Sequence, residues 1–126
     1  MNRLSRCFPA RPRSVPEARR AALAWARQRG AEKDTLEALA LAVSEAVANA
    51  AVHAYRGQET GNVELLIEET GDGFEVCISD QGVGMVPRTD SPGLGLGMPL
   101  ITRVAESVEV SSAEPGGTRV LMRFAR

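Results

Sequence analysis

In the largely apolar stretch LALAVSEAVANAAVHAY, three polar side chains recur at intervals of four: Glu45, Asn49 and His53. On a helix they form one row on one side. Such a row is costly to bury without partners, and a divalent cation carrying phosphate oxygens would supply them. Magnesium takes oxygen ligands, and an Asn carbonyl oxygen beside phosphate oxygens suits that preference. A carboxylate one turn earlier is placed to accept a proton from an attacking hydroxyl. The same spacing also describes a polar helix edge facing water, and on spacing alone that is the simpler account.

Three further clusters follow. Asp80-Gln81-Gly82-Val83-Gly84 comes directly after an alternating segment. Its glycines permit a tight path and close approach of a ligand to the backbone, and a carboxylate at a strand end can accept hydrogen bonds from a base's exocyclic amine. Gly93-Leu94-Gly95-Leu96-Gly97 precedes a short helical segment. Exposed N–H groups before a helix N-terminus suit phosphate. No Gly-Lys-Ser/Thr follows, which excludes a Walker loop, and no βαβ unit surrounds it, which excludes a dinucleotide fingerprint. Gly116-Gly117-Thr118 leads into the last segment and by itself reads as a hairpin turn. Taken singly, an Asp-Gly turn, a flexible loop and a hairpin explain all three.

The elements that must position these residues are legible from periodicity. Ser14 and Glu17 have capping-box spacing before a helix at about 16–29 that stops at Gly30. Asp34 or Thr35 opens a longer helix at about 34–55, apolar nearly all round and therefore central. Alternation then takes over: Val63, Leu65 and Ile67 share one face, and Phe74, Val76, Ile78 and Asp80 share another. Gly71-Asp72-Gly73 joins those two strands as a hairpin. Residues 81–97 read as a loop and about 98–105 as a short helix. Strands at about 107–112 and 118–125 turn Val108, Val110, Val120, Met122 and Phe124 inward, leaving Glu64, Glu68, Glu75, Glu109, Arg119 and Arg123 on the opposite face. The expected fold is α+β: a two-layer sandwich with helices on one face of a mainly antiparallel, four-stranded sheet.

At 126 residues the chain fits one domain. The expected division is a disordered basic leader at 1–13 and one folded domain at 14–126. The net charge of −1 hides an asymmetry. Residues 1–29 hold eight Arg against one Glu, while the remainder holds seven basic and fifteen acidic residues. A basic arm on an acidic body can attract an anionic partner, or simply be solvated. Cys7 and Cys77 show neither metal-ligand spacing nor a pairing pattern, which favours a reducing, cytoplasmic setting. No apolar run approaches the roughly 18 residues of a membrane span.

The ordered combination is far more specific than its parts. E-x-x-x-N on a helix, D-x-G-x-G after a strand, G-x-G-x-G before a helix and G-G-T before the last strand resemble the GHKL ATPase/kinase superfamily, over about residues 14–126. The helix containing SEAVANAAVH looks most like the stand-alone anti-sigma-factor serine/threonine kinases of bacteria. The resemblance implies a Bergerat-type fold that binds ATP and Mg²⁺. It implies that Asn49 ligates the metal and that Glu45 is the general base toward a serine or threonine hydroxyl. Asp80 would read the adenine amine with support from Thr118, and Gly82 and Gly84 would let adenine approach. Gly93, Leu94, Gly95, Leu96 and Gly97 would form the lid over the phosphates. Arg19 falls where these kinases carry a partner-contacting arginine, and His53 matches a position common in the subgroup. The implied partners are a sigma factor and its antagonist, with no direct nucleic-acid or membrane binding, and a homodimer by analogy.

The lid is short, with only Arg88 between Met85 and Pro92 to reach a phosphate. The competing reading is therefore a non-catalytic regulator that binds protein partners in a nucleotide-dependent way. A third is the ATPase portion of a histidine kinase, which requires a phosphoacceptor domain encoded nearby.

Overall fold

The computed structural model describes residues 3–51, 61–80, 101, 103–112 and 117–125. The elements run β1 (Arg3–Pro9), α1 (Ser14–Gln28), α2 (Lys33–Asn49), β2 (Asn62–Glu69), β3 (Gly73–Asp80), β4 (Ser107–Ser112) and β5 (Thr118–Ala125). The five strands form one sheet in the order β1-β2-β3-β5-β4, and every neighbouring pair is antiparallel. Both helices cover one face, so the architecture is the two-layer α+β sandwich that the periodicity indicates.

The core lies between the layers. Val63, Leu65 and Ile67 of β2, Phe74, Val76 and Ile78 of β3, and Val120, Met122 and Phe124 of β5 are buried against Leu39, Val43 and Val47 of α2. Each such aliphatic or aromatic side chain contributes about 1.5–3 kcal/mol when taken fully from water. Alternation fixes the register, because a slip of one residue would turn these rows to solvent. Helix α1 adds Ala18, Ala22, Trp25 and Ala26. The Trp25 and Phe74 rings meet edge to face, centroids 5.8 Å apart, and the Arg29 guanidinium lies 4.3 Å from the Trp25 ring centre.

One expectation is overturned at the N-terminus. Residues 3–9, read as part of a disordered leader, form the edge strand β1, paired along its whole length with β2 from Arg3↔Glu68 to Pro9↔Asn62. Leu4 and Phe8 pack against the core, while Arg3, Ser5 and Cys7 stand on the other face. A high Arg and Pro content concealed this two-residue alternation. Among the described residues the sheet consequently has five strands and not four.

Helix ends also differ from expectation. Ser14 does not cap α1: the capping position is Arg13, and the Ser14 hydroxyl donates to the Pro9 carbonyl, tying the end of β1 to the start of α1. The α1 C-terminus is a Schellman turn. Gly30 N–H donates to Arg27 C=O and Ala31 N–H to Ala26 C=O, both at 3.1 Å, and Gly30 has φ 78°. Helix α2 starts after Glu32 with no side-chain cap; Thr35 instead donates its hydroxyl to Ala125 C=O at 2.9 Å, joining α2 to the end of β5. The β2–β3 hairpin closes as anticipated, with Thr70 N–H donating to Gly73 C=O. Of the short helix expected at about 98–105, Ile101 is buried and its carbonyl accepts from Ala105 N–H at 2.9 Å.

Candidate functional site

Asp80 is the last residue of β3, and its Cα partners are Val63 on β2 and Thr118 on β5. It shares the inner face with Phe74, Val76 and Ile78, which explains why a carboxylate ends only 4% exposed. Thr118, the first residue of β5, is 1% exposed. It follows Gly117, whose φ of 103° is open to glycine far more readily than to other residues. The strand register thus sets a buried acceptor beside a buried hydroxyl.

Asn49 closes α2. It is 6% exposed, and its side-chain nitrogen is buried without a hydrogen-bond partner among the described residues. Buried amides are nearly always paired, and leaving one unmet costs about 1–3 kcal/mol. Rotation of the amide exchanges its nitrogen and oxygen, so the same position can present a donor or an acceptor. At Ala50–Ala51 the helix widens into a π turn, a local distortion that recurs at functional sites. Glu45, one turn before Asn49, is half-buried. Arg19 of α1 donates to the Ser44 hydroxyl at 3.3 Å, immediately beside Glu45.

The structure therefore brings Asp80 together with Thr118, and Glu45 with Asn49 and, through Ser44, Arg19. His53, Gly82, Gly84, Arg88, Gly93, Leu94, Gly95, Leu96, Gly97 and Gly116 lie outside the described residues. No group of three or more His, Cys, Asp or Glu side chains gathers to hold a metal among the described residues. An Asn-plus-phosphate site would need no such cluster. The Asn49 amide, its nitrogen unpartnered among the described residues, and the buried Asp80 carboxylate are suited to a ligand that carries both metal-bound oxygens and a hydrogen-bond donor. Among the described residues, no helix is long and apolar enough to cross a membrane.

Sequence reasoning missed the Arg19–Ser44 contact and the half-buried row Leu66, Cys77 and Leu121, which are register partners on the outer face of the sheet. Leu66 and Leu121 fall on the polar parity of their strands, and that pattern was the available signal.

The two-layer fold carries a buried acid at a central strand end and, at the end of the covering helix, an amide nitrogen without a partner among the described residues. The family model for the histidine kinase-like ATPase domain matches residues 8–124, and the chain belongs to that family. Membership implies ATP binding. The chain is 31% identical to an anti-sigma F factor of Oceanobacillus iheyensis, across 96% of its own length and 90% of that protein. It is 28% identical to an anti-sigma F factor of Clostridium beijerinckii, across 97% and 93%. Its similarity to the serine-protein kinase RsbW of Bacillus licheniformis is 36% identity over 87 residues, 69% of this chain and 54% of that protein. The similarity to the anti-sigma F factors accordingly runs along nearly the whole chain, and that to the serine-protein kinase along about two thirds of it.

Proposed function

We propose that this protein is an ATP-dependent serine/threonine kinase of the anti-sigma-factor type, which phosphorylates an antagonist protein and regulates a sigma factor. The observation that supports it most is the buried Asn49 one turn beyond Glu45, whose amide nitrogen has no hydrogen-bond partner among the described residues. A buried amide nitrogen left unmet by the described residues suits a ligand, and the carboxylate one turn away would supply the base that phosphoryl transfer to a hydroxyl needs.

In this reading Asn49 ligates Mg²⁺ through its carbonyl oxygen, and Asp80 accepts a hydrogen bond from the adenine amine. Thr118 holds the same edge. Gly82 and Gly84 would admit the base, and residues 93–97 would cover the phosphates. Bound Mg·ATP supplies the phosphoryl group and the charge that neutralises it. Glu45 orients the substrate hydroxyl and accepts its proton, so the protein's work is positioning and electrostatics. Arg19, held near the site through Ser44, contacts the protein partner. Phosphorylation adds about −1.5 to −2 charge to the antagonist and thereby changes which partner it binds. A homodimer belongs to the same proposal, with the outer face of the sheet as the surface the helices leave uncovered.

The test is incubation with Mg·ATP and a candidate antagonist protein, followed by phosphoserine detection. The wild type should transfer phosphate, and Glu45→Gln should retain nucleotide binding while losing transfer. Nucleotide binding with no transfer to any genuine partner would leave a nucleotide-dependent binding regulator. Transfer that survives Glu45→Gln would remove Glu45 from the mechanism.

A further inference from the structure

The eight arginines of residues 1–29 are only partly explained by the site. Arg3 pairs with Glu68 and Arg29 with Glu69, and Arg19 is bonded to Ser44. Arg6, Arg11, Arg13, Arg20 and Arg27 are exposed and make no ion pair among the described residues. Glu17 is the one acidic residue in this stretch. Two of these arginines flank a groove of about 410 Å³ between β1 and α1, lined by Arg6, Phe8, Glu17, Arg20 and Ala21. Phe8 forms an aromatic floor that is half-buried against the core.

We propose that this groove docks an extended acidic segment of a partner protein that carries one apolar side chain between two acids. Three observations converge on that occupant. First, β1 is an edge strand; Pro9 has no N–H and its carbonyl is taken by Ser14 and Arg11, but among the described residues the outward N–H and C=O groups before it pair with no other strand and suit an added one. Second, Phe8 and Ala21 offer an apolar seat at the same place. Third, Arg6 and Arg20 line the same groove, two cations against the single carboxylate of Glu17, and complement acidic side chains. In an added strand, residues two apart share a face about 7 Å apart, so the pattern acid-x-apolar-x-acid fills the groove. The same arginines repel a second copy of the edge, which guards against self-pairing. A lipid surface or a nucleic acid could use the charge but not the main-chain edge, and the geometry favours a peptide. Arg19 is engaged with α2, so this surface is distinct from the site above and does not depend on the kinase reading.

The experiment uses fluorescence anisotropy with the labelled peptide Ser-Glu-Thr-Leu-Thr-Glu-Ser and the whole protein. Binding should be saturable and weaken as salt is raised. It should fall about tenfold or more when both Glu are replaced by Lys, and likewise in Arg6→Gln/Arg20→Gln. Ala21→Gln, which fills the groove without changing charge, should also weaken binding. Unchanged melting temperatures would show that the variants are folded. Phosphatidylserine vesicles and a single-stranded oligonucleotide serve as competing probes. Equal peptide affinity in wild type and the double variant would overturn the proposal. Tighter Arg6- and Arg20-dependent binding of the vesicles or the oligonucleotide than of the peptide would overturn it too.

Discussion

Asp80 and Thr118 stand directly opposite each other on β3 and β5, a carboxylate and a hydroxyl both buried at one level of the sheet. Their pairing follows from the same register that aligns Ile78 with Val120 and Val76 with Met122 in the core. Core packing thereby fixes the geometry of the polar pair, which is what a preorganised recognition edge requires.

Thermal shift tests that edge. Mg·ATP at 100 times its dissociation constant should stabilise the wild type by about 2.7 kcal/mol. Asp80→Asn converts an acceptor-only group into one that also donates, and the stabilisation should disappear at that concentration. Thr118→Val keeps the shape and removes one hydroxyl, so affinity should fall by about 0.5–1.5 kcal/mol. An unchanged shift in Asp80→Asn would separate this carboxylate from nucleotide recognition.

Asn49 should trade stability against binding. Its buried amide nitrogen has no partner among the described residues, so Asn49→Leu should melt no lower than wild type without nucleotide, and up to about 1–3 kcal/mol more stably. The Mg·ATP-dependent shift should be lost in the same variant. A large destabilisation without ligand would instead make Asn49 part of the structural framework.

Two glycines have steric reasons to be glycine. Gly30 occupies the left-handed position of the α1 terminus, and Gly30→Ala should cost about 1 kcal/mol in urea unfolding. A Cβ at Gly73 would collide with the Phe124 carbonyl oxygen. Because that oxygen belongs to the neighbouring strand, relief requires backbone movement, and Gly73→Ala should cost about 1–3 kcal/mol. Neither glycine lies at the nucleotide site, so both variants should still respond to Mg·ATP if measured below their melting points.

Cys77 should be the slow thiol. Burial raises its pKa, Arg119 lowers it, and Glu75 and Glu64 add to the rise. The folded state therefore keeps the proton after the unfolded chain has released it. The contribution to stability is intact below the unfolded pKa and is lost as pH rises from there through the folded pKa. Near neutral pH, iodoacetamide should label exposed Cys7 well before Cys77, and Cys77 labelling should accelerate only at alkaline pH. Equal rates, followed by peptide mass, would contradict this.

Much was legible from sequence alone because periodicity reports burial directly. The alternation Val63-Leu65-Ile67 and Phe74-Val76-Ile78 placed two strands and their inward faces, and it placed Asp80 on the buried side. The four-residue spacing of Glu45 and Asn49 put both on one side of the long helix. The ordered motifs pointed to the family that residues 8–124 match. Three things required the tertiary structure, all of which depend on contacts between residues far apart in the chain. Strand β1 exists because β2 offers it a partner edge and the core accepts Leu4 and Phe8, an advantage invisible in an Arg- and Pro-rich segment. Ser14 and Thr35 looked like helix caps by local chemistry, but the carbonyls of Pro9 and Ala125 claim their hydroxyls instead. Asp80 and Thr118 lie 38 positions apart in the sequence, and only the antiparallel β3–β5 register makes them neighbours, because a strand pairs by hydrogen-bond geometry and buried area, irrespective of chain distance.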